Sequence, residues 1–201
     1  DIALSNNSVP ENASSGTAVG TLSATDPDDG TTFSFTLVAG TGGDDNASLN
    51  IAGNELRTNA VFNYEAKSSY SIRVRVTDQG GLPYDEIFLI SVTNVNEAPT
   101  DLSVTPSSVA ENAVVNTVVG SFAAVDPDAG NTFTYTLVSG DGDTDNASFN
   151  ISSGNLRTSA IFDYEAKSSY SIRVQASDQG GLPFQKVLTI TIVNVNETPT
   201  D

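Results

Sequence analysis

The sequence repeats itself, and no other feature constrains the fold as much. Shifting the chain by 100 residues aligns it on itself without a gap. NASLNI at 46–51 meets NASFNI at 146–151, and YEAKSSYSIRV at 64–74 recurs at 164–174. DQGGLP at 78–83 returns at 178–183, and NVNEAPTD at 94–101 returns as NVNETPTD at 194–201. Roughly 55% of aligned positions are identical, so the chain consists of two copies of one structural unit. A unit of about 100 residues is an ordinary domain size. We expect domains at 1–97 and 98–201, joined by a linker at about 94–101. The last residue, Asp201, falls in the register of a third copy, and no leader peptide precedes the first. The chain therefore reads as an excerpt of a longer array.

The unit has the pattern of β-structure. Tyr70, Ile72, Val74 and Val76 alternate with Ser71, Arg73, Arg75 and Thr77, which marks a strand with one buried face. Phe33, Phe35 and Leu37 alternate with Ser34 and Thr36 in the same way. Residues 86–95 carry an unbroken apolar run, Ile87-Phe88-Leu89-Ile90, that leaves the inner face ambiguous. The second copy resolves it. Leu188, Ile190 and Ile192 alternate with Thr189 and Thr191, so Phe88, Ile90 and Val92 should point inward. Further strands are expected at 3–9, 17–24, 49–51 and 55–58. Turn signals separate them: DPDDG at 26–30, GTGGDD at 40–45, AGN at 52–54 and DQGGLP at 78–83. About seven short strands with closely spaced turns predict an all-β chain: two tandem seven-stranded Greek-key, Ig-like sandwiches.

Charge narrows the function. The chain holds 25 Asp and Glu against 8 Lys and Arg, a formal net charge of −17. Nucleic acid requires a basic surface, so it is excluded as a partner. An anionic bilayer would repel the chain, and no apolar run is long enough to insert into one. The absence of Cys and His excludes a disulfide framework, a thiol nucleophile, an imidazole base and a Cys/His zinc site. Hydrophobic residues make up 38% of the chain, enough for a core, so the acidity is not that of a disordered tail.

The acids concentrate in turns and in the linker. Glu11, Asp26, Asp28, Glu65, Asp78 and Glu97 recur as Glu111, Asp126, Asp128, Glu165, Asp178 and Glu197. Two carboxylates two residues apart on a turn, as in the D-P-D motif, can converge on one ion. Ca²⁺ takes six to eight hard oxygen ligands of this kind. One such motif is an ordinary solvated turn. Six recurring at fixed offsets point to calcium. Carboxylate pairs can also act as acid and base on sugars, but these acids sit in calcium motifs, and the chain is expected not to be an enzyme.

Taken together, Pro10-Glu11-Asn12, Asp26-Pro27-Asp28, Phe62-Asn63-Tyr64-Glu65, Asp78-Gln79-Gly80 and Asn94-Val95-Asn96-Glu97-Ala98-Pro99 resemble the motifs of cadherin repeats, specifically the cadherin-like modules of bacterial surface and secreted proteins. The resemblance covers both units. It implies calcium sites between successive repeats, with three ions per junction as the family expectation. The first repeat would contribute Glu11, Asn63 and Glu65. The linker would contribute Asn94, the Val95 carbonyl, Asn96 and Glu97. The second repeat would contribute Asp126, Asp128 and Asp178, with the Asn131 carbonyl as a further candidate. Half-sites would remain at the two ends: Asp26, Asp28 and Asp78 toward a preceding repeat, and Glu111, Asp163, Glu165, Asn194, Asn196 and Glu197 toward a following one.

Two departures weaken the junction. The linker is one residue shorter than the family's D-x-N-D-N-x-P, with Asn and Glu for its two Asp. Asn63 also stands where the second copy has Asp163. Two or three ions per junction are therefore expected, at affinities toward ~10⁻⁴–10⁻³ M. The implied function is a calcium-rigidified extracellular or cell-surface module supporting adhesion. Its partners would be neighbouring repeats and a homophilic or cell-surface protein. The alternative is a calcium-dependent polysaccharide binder. Phe33, Phe62, Tyr64 and Tyr70 read as packing residues, and Lys67 and Arg57 as solvated or paired with nearby acids. The Asn-x-Ser triplets at Asn12, Asn46 and Asn146 read as turn residues.

Overall fold

In a computed structural model, which describes residues 1–28 and 32–199, the chain divides into two compact units, 1–95 and 96–201. Residues 29 and 30 of the expected DPDDG turn lie outside the described residues, as do the last two of the chain.

The first unit contains β1 (Ile2–Leu4), β2 (Ser8–Pro10), β3 (Ala18–Ala24), β4 (Phe33–Leu37), β5 (Leu49–Ala52), β6 (Glu55–Thr58), β7 (Ser69–Asp78) and β8 (Pro83–Thr93). One sheet runs β1-β3-β6-β5 and the other β2-β8-β7-β4. The second unit repeats the plan with β9 (Asp101–Thr105), β10 (Ser108–Ala110), β11 (Val118–Val125), β12 (Thr134–Leu137), β13 (Phe149–Ser152), β14 (Asn155–Thr158), β15 (Ser169–Ser177) and β16 (Pro183–Val193). Its sheets are β13-β14-β11-β9 and β10-β16-β15-β12. Among the described residues the only helical turns are short 3₁₀ segments at Asn46–Ser48 and Asn146–Ser148.

The single strand expected at 3–9 is two strands in different sheets. β1 pairs antiparallel with β3, whereas β2 pairs parallel with β8, Val9 opposite Val92. The chain must cross from one sheet to the other over β3. There Gly20 leaves room, because a Cβ on it would lie 2.5 Å from the Asn6 carbonyl oxygen. At Gly120 the corresponding distance, to the Pro106 oxygen, is 1.9 Å. The crossing is held by side chain in place of ladder. Asn6 Nδ2 donates to the carbonyls of Ser8 (2.6 Å) and Val19 (2.7 Å).

Each core lies between its two sheets. In the first unit Ile72, Val74 and Val76 of β7 face Leu22, Leu49 and Leu56, and Ile90 and Val92 close the layer. Phe88 is half-buried against the same cluster, so β8 presents the face that the second copy predicted. The second unit uses Ile172, Val174, Ile190, Ile192 and Leu156 in equivalent places. Removing this apolar surface from water, at about 25 cal/mol per Å², is the main force holding each sandwich. Phe62 stacks on Tyr70, with centroids 4.1 Å apart. Tyr64, expected to pack, is 38% exposed, as is Tyr164.

Lys67 and Arg57 pair with Asp45 and Glu55 respectively. Lys67 also lies over the Tyr70 ring. Asn46 does more than shape a turn. Its Nδ2 donates to the Val38 carbonyl (2.8 Å) and its Oδ1 accepts from the Arg73 N–H (3.1 Å), and Asn146 repeats both bonds.

Candidate metal centre

Within the first unit, Glu11 follows β2 and is buried, 2% exposed. Its carboxylate accepts hydrogen bonds from the backbone N–H groups of Tyr64 and Val95, both at 2.8 Å. These two bonds tie the segment after β6 and the segment after β8 to one side chain. Asn63 Oδ1 accepts from the Ala66 N–H (2.6 Å), and Asn94 Nδ2 donates to Glu65 Oε1 (3.3 Å). Glu11, Asn63, Glu65, Asn94 and Val95 therefore meet at one end of this unit. At its other end Asp26 Oδ1 accepts from the Asp28 N–H, and Asp78 Oδ1 from the Leu82 N–H, both at 2.8 Å.

Within the second unit, the end after β16 repeats the arrangement. Glu111, 3% exposed, accepts from the N–H groups of Tyr164 and Val195, both at 2.7 Å. Asn194 Nδ2 donates to Glu165 Oε1 (2.8 Å). Glu111, Asp163 and Glu165 each offer a carboxylate oxygen, and the three oxygens lie within 4.8 Å of one another. The remaining half-site candidates here, Asn196 and Glu197, are exposed. Asn112, which carries a positive φ of 58°, donates its Nδ2 to Glu197 Oε1 at 2.6 Å. The sequence signal for this asparagine is the Glu-Asn pair that Pro10-Glu11-Asn12 and Ala110-Glu111-Asn112 share.

The opposite end of the second unit gathers Asn96, Glu97, Asp126, Asp128 and Asp178. Asp126 Oδ1 accepts from the Asp128 N–H (3.0 Å), Asp128 Oδ2 from the Glu97 N–H (2.8 Å), and Asp178 Oδ2 from Asn96 Nδ2 (2.7 Å). Asp128 and Asp178 are buried. Burial pushes the Asp178 carboxyl upward, but hydrogen bonds from Asn96 and from the backbone of Leu182, Gly181 and Gly180 more than offset this and hold it below the usual carboxylate range. Asn131, whose carbonyl was a further candidate, engages through its side chain, with Gln179 donating to its Oδ1. Gln179 Oε1 also accepts from the Thr132 N–H (2.8 Å). This glutamine braces the loop that carries Asp126 and Asp128. The exact recurrence of Asp-Gln-Gly in both copies was the signal for it.

Among the described residues, the ion pairs go elsewhere: to Glu55, Asp45, Asp85, Asp101 and Asp145. None reaches Glu11, Glu111, Asp126, Asp128 or Asp178. Asp126 Oδ2 is buried without a hydrogen-bond partner. A buried carboxylate oxygen without a cation or donor is costly. The donors are all hard oxygens on short turns, so they fit a Ca²⁺ ion, for which flexible coordination by carboxylates and amide oxygens is normal.

Comparison with known proteins agrees. The cadherin domain family model matches residues 5–93 and 105–195. The human protocadherin Fat 4 is 30% identical over 96% of this chain, which spans 4% of that relative. Bovine cadherin-18 is 31% identical over 95% of this chain and 26% of its own length. The chain thus spans at most about a quarter of these curated relatives. Among solved structures, the first two extracellular repeats of human protocadherin-24 superpose with a TM-score of 0.71 at 22% identity, covering 97% of this chain and 98% of that one. The protocadherin γB4 extracellular domain gives 0.67 at 24% identity, covering 98% and 34%.

The chain belongs to the cadherin family, as two tandem cadherin domains. Such domains are extracellular repeats of cell-surface adhesion proteins, and they characteristically bind Ca²⁺ where repeats are linked. As an all-β cadherin tandem, this chain is extracellular. The relatives above are vertebrate adhesion proteins and not enzymes. They lend no support to the bacterial subclass or to polysaccharide as a ligand.

Proposed function

We propose that the chain is a calcium-rigidified adhesion module, in which ions bound where one repeat follows the other fix the pair as a stiff spacer. Glu11, Asn63, Glu65, Asn94, Val95, Asn96 and Glu97 would hold two or three ions together with Asp126, Asp128, Asp178 and Asn131. The observation that carries this reading is the oxygen donors at both ends of the second repeat: Glu111, Asp163 and Glu165 at one, and Asp126, Asp128 and Asp178 at the other. A module built this way has donors to share with whatever repeat adjoins it. Asp26, Asp28 and Asp78 would serve a preceding repeat, and Glu111, Asp163, Glu165, Asn194, Asn196 and Glu197 a following one.

The physics is electrostatic. Each close carboxylate pair repels by about 1–4 kcal/mol, depending on local dielectric. Calcium turns that repulsion into a cross-link. Because only the folded state presents the ligands together, binding also raises stability by mass action. Adhesion follows from stiffness, since a rod holds its distal surface away from the cell for a homophilic or cell-surface partner.

The test is a calcium titration of the two-repeat chain, followed by small-angle scattering and melting temperature. Calcium should reduce the spread of interdomain distances and raise the melting temperature. Glu11→Ala and Asp126→Ala should each abolish most of both effects. A chain whose scattering and melting are unchanged by chelator refutes the proposal.

A further inference from the structure

Within the second repeat, the segment before β9 is attached through Asp178 and Asp128. Asn96 Nδ2 donates to Asp178 Oδ2 at 2.7 Å, and the Glu97 N–H donates to Asp128 Oδ2 at 2.8 Å. The opposite oxygen of Asp178 accepts from the Leu182 N–H at 2.8 Å, so this carboxylate bridges the segment to the Asp-Gln-Gly turn.

Space for the asparagine comes from Gly180. A Cβ there would lie 2.6 Å from Asn96 Nδ2 and 2.8 Å from its Cγ, which no real contact allows, so the amide would be displaced. At Gly80, the equivalent position in the first repeat, the nearest atom to such a Cβ is Asp78's own Oδ1 at 3.3 Å, a tight contact that a side-chain shift of a few tenths of an ångström relieves. The glycine thus borders only its own turn's Asp78 in one repeat and makes room for the Asn96 side chain in the other. Burial follows the same division. Asp128 and Asp178 are 9% and 5% exposed, whereas Asp28 is exposed and Asp78 half-buried.

An amide N–H₂ presents partial positive charge to a carboxylate, the same service that a cation performs. We propose that Asn96 is a positioning residue: its side-chain amide, admitted by Gly180, latches residues 96–97 onto the Asp126–Asp128–Asp178 end of the second repeat without calcium, and an ion must displace that amide to take Asp178 Oδ2. The second half of this rests on the calcium reading above, and the first half does not. The consequence is a calcium end that is ordered before the ion arrives, at the cost of competition for one ligand oxygen.

Hydrogen exchange on the full two-repeat chain separates the halves. In chelator, the Glu97 amide of the unaltered chain should be protected. Asn96→Ala should reduce that protection by about tenfold or more, the factor expected for losing a hydrogen bond to a charged group. Gly180→Ala should reproduce the loss with the linker sequence intact, and Gly80→Ala should not. Asn96→Asp, which keeps the shape and removes the donor, should match Asn96→Ala and guards against a folding defect in the glycine variant. An unprotected Glu97 in the unaltered chain, or an unchanged one in Asn96→Ala, overturns the latch.

Calcium titration then addresses competition. The informative variant is Gly180→Ala, which displaces the amide and keeps every proposed ligand in the chain, and its midpoint should stay equal or fall. A midpoint raised more than about threefold would mean that the side chain serves chiefly as a ligand, and would overturn that half. Indifference to calcium in every variant would remove both competition and the proposed function, while the chelator experiment still decides the latch.

Discussion

Glu111→Ala gives a prediction whose size follows from the structure. The side chain is 3% exposed, and its two oxygens accept from the N–H groups of Tyr164 and Val195, each at 2.7 Å. Truncation leaves both donors without their acceptor. An unsatisfied buried donor costs about 1–3 kcal/mol, and because both bonds are only part-buried the pair should cost near the low end, about 2 kcal/mol, in the second repeat. In a domain of this size each kcal/mol shifts the melting temperature by about 4–8 °C, so the drop should be at least about 8 °C. Glu111→Gln retains one acceptor oxygen but turns an amide N–H₂ toward the other donor, and should lose about half as much.

The informative condition is chelator, because these hydrogen bonds need no ion. Glu165→Ala removes an exposed carboxylate of the same cluster and should leave melting in chelator nearly unchanged. Differential scanning calorimetry with and without calcium distinguishes the two. If Glu111→Ala melts like the unaltered chain in chelator, the carboxylate is not a structural acceptor, and the reasoning from buried hydrogen bonds fails.

Other outcomes follow from neighbouring details. Asp85 accepts from both Arg75 and Arg73, and the Arg75 hydrogen bond foremost holds its carboxyl down at about 2. The stability it adds to the first repeat is present above its unfolded value of about 3.9 and disappears as pH falls through that value toward about 2. Gln185 occupies the equivalent position in the second repeat, so Asp85→Asn should narrow the difference in acid unfolding between repeats, as read by calorimetry from pH 5 to 2. Phe122 stacks on Tyr135 with centroids 5.0 Å apart, whereas the first repeat has Leu22 beside an opening of about 620 Å³ between its sheets. Phe122→Leu should therefore cost about 0.5–1.5 kcal/mol beyond its lost buried area, by urea denaturation. Leu156→Ala, at a fully buried position, should cost about 2–5 kcal/mol in the same assay and leave the first repeat's transition in place.

What the sequence determined by itself is what period and chemistry can carry. The 100-residue repeat set two like modules, and alternation along 70–77 set a strand with Ile72, Val74 and Val76 inward, because side chains on a strand alternate strictly. The second copy settled the face of β8, since its Thr189 stands where the first copy's Leu89 leaves the pattern ambiguous. The recurring acids named the donors, and their motifs named the family.

Tertiary structure alone decided the rest, because it turns on contacts between residues far apart in the chain. Alternation does not change when a strand crosses between sheets, so only the fold shows β1 and β2 in different sheets, with Gly20 passing under Asn6. The acidity of Glu11 and Glu111 was visible, but not that each is buried against two backbone N–H groups, from segments about 50 and about 85 residues away. The role of Gly180 was equally hidden. Asp-Gln-Gly reads alike in both copies, and only the approach of Asn96 separates a turn glycine from one that makes room for another residue's amide.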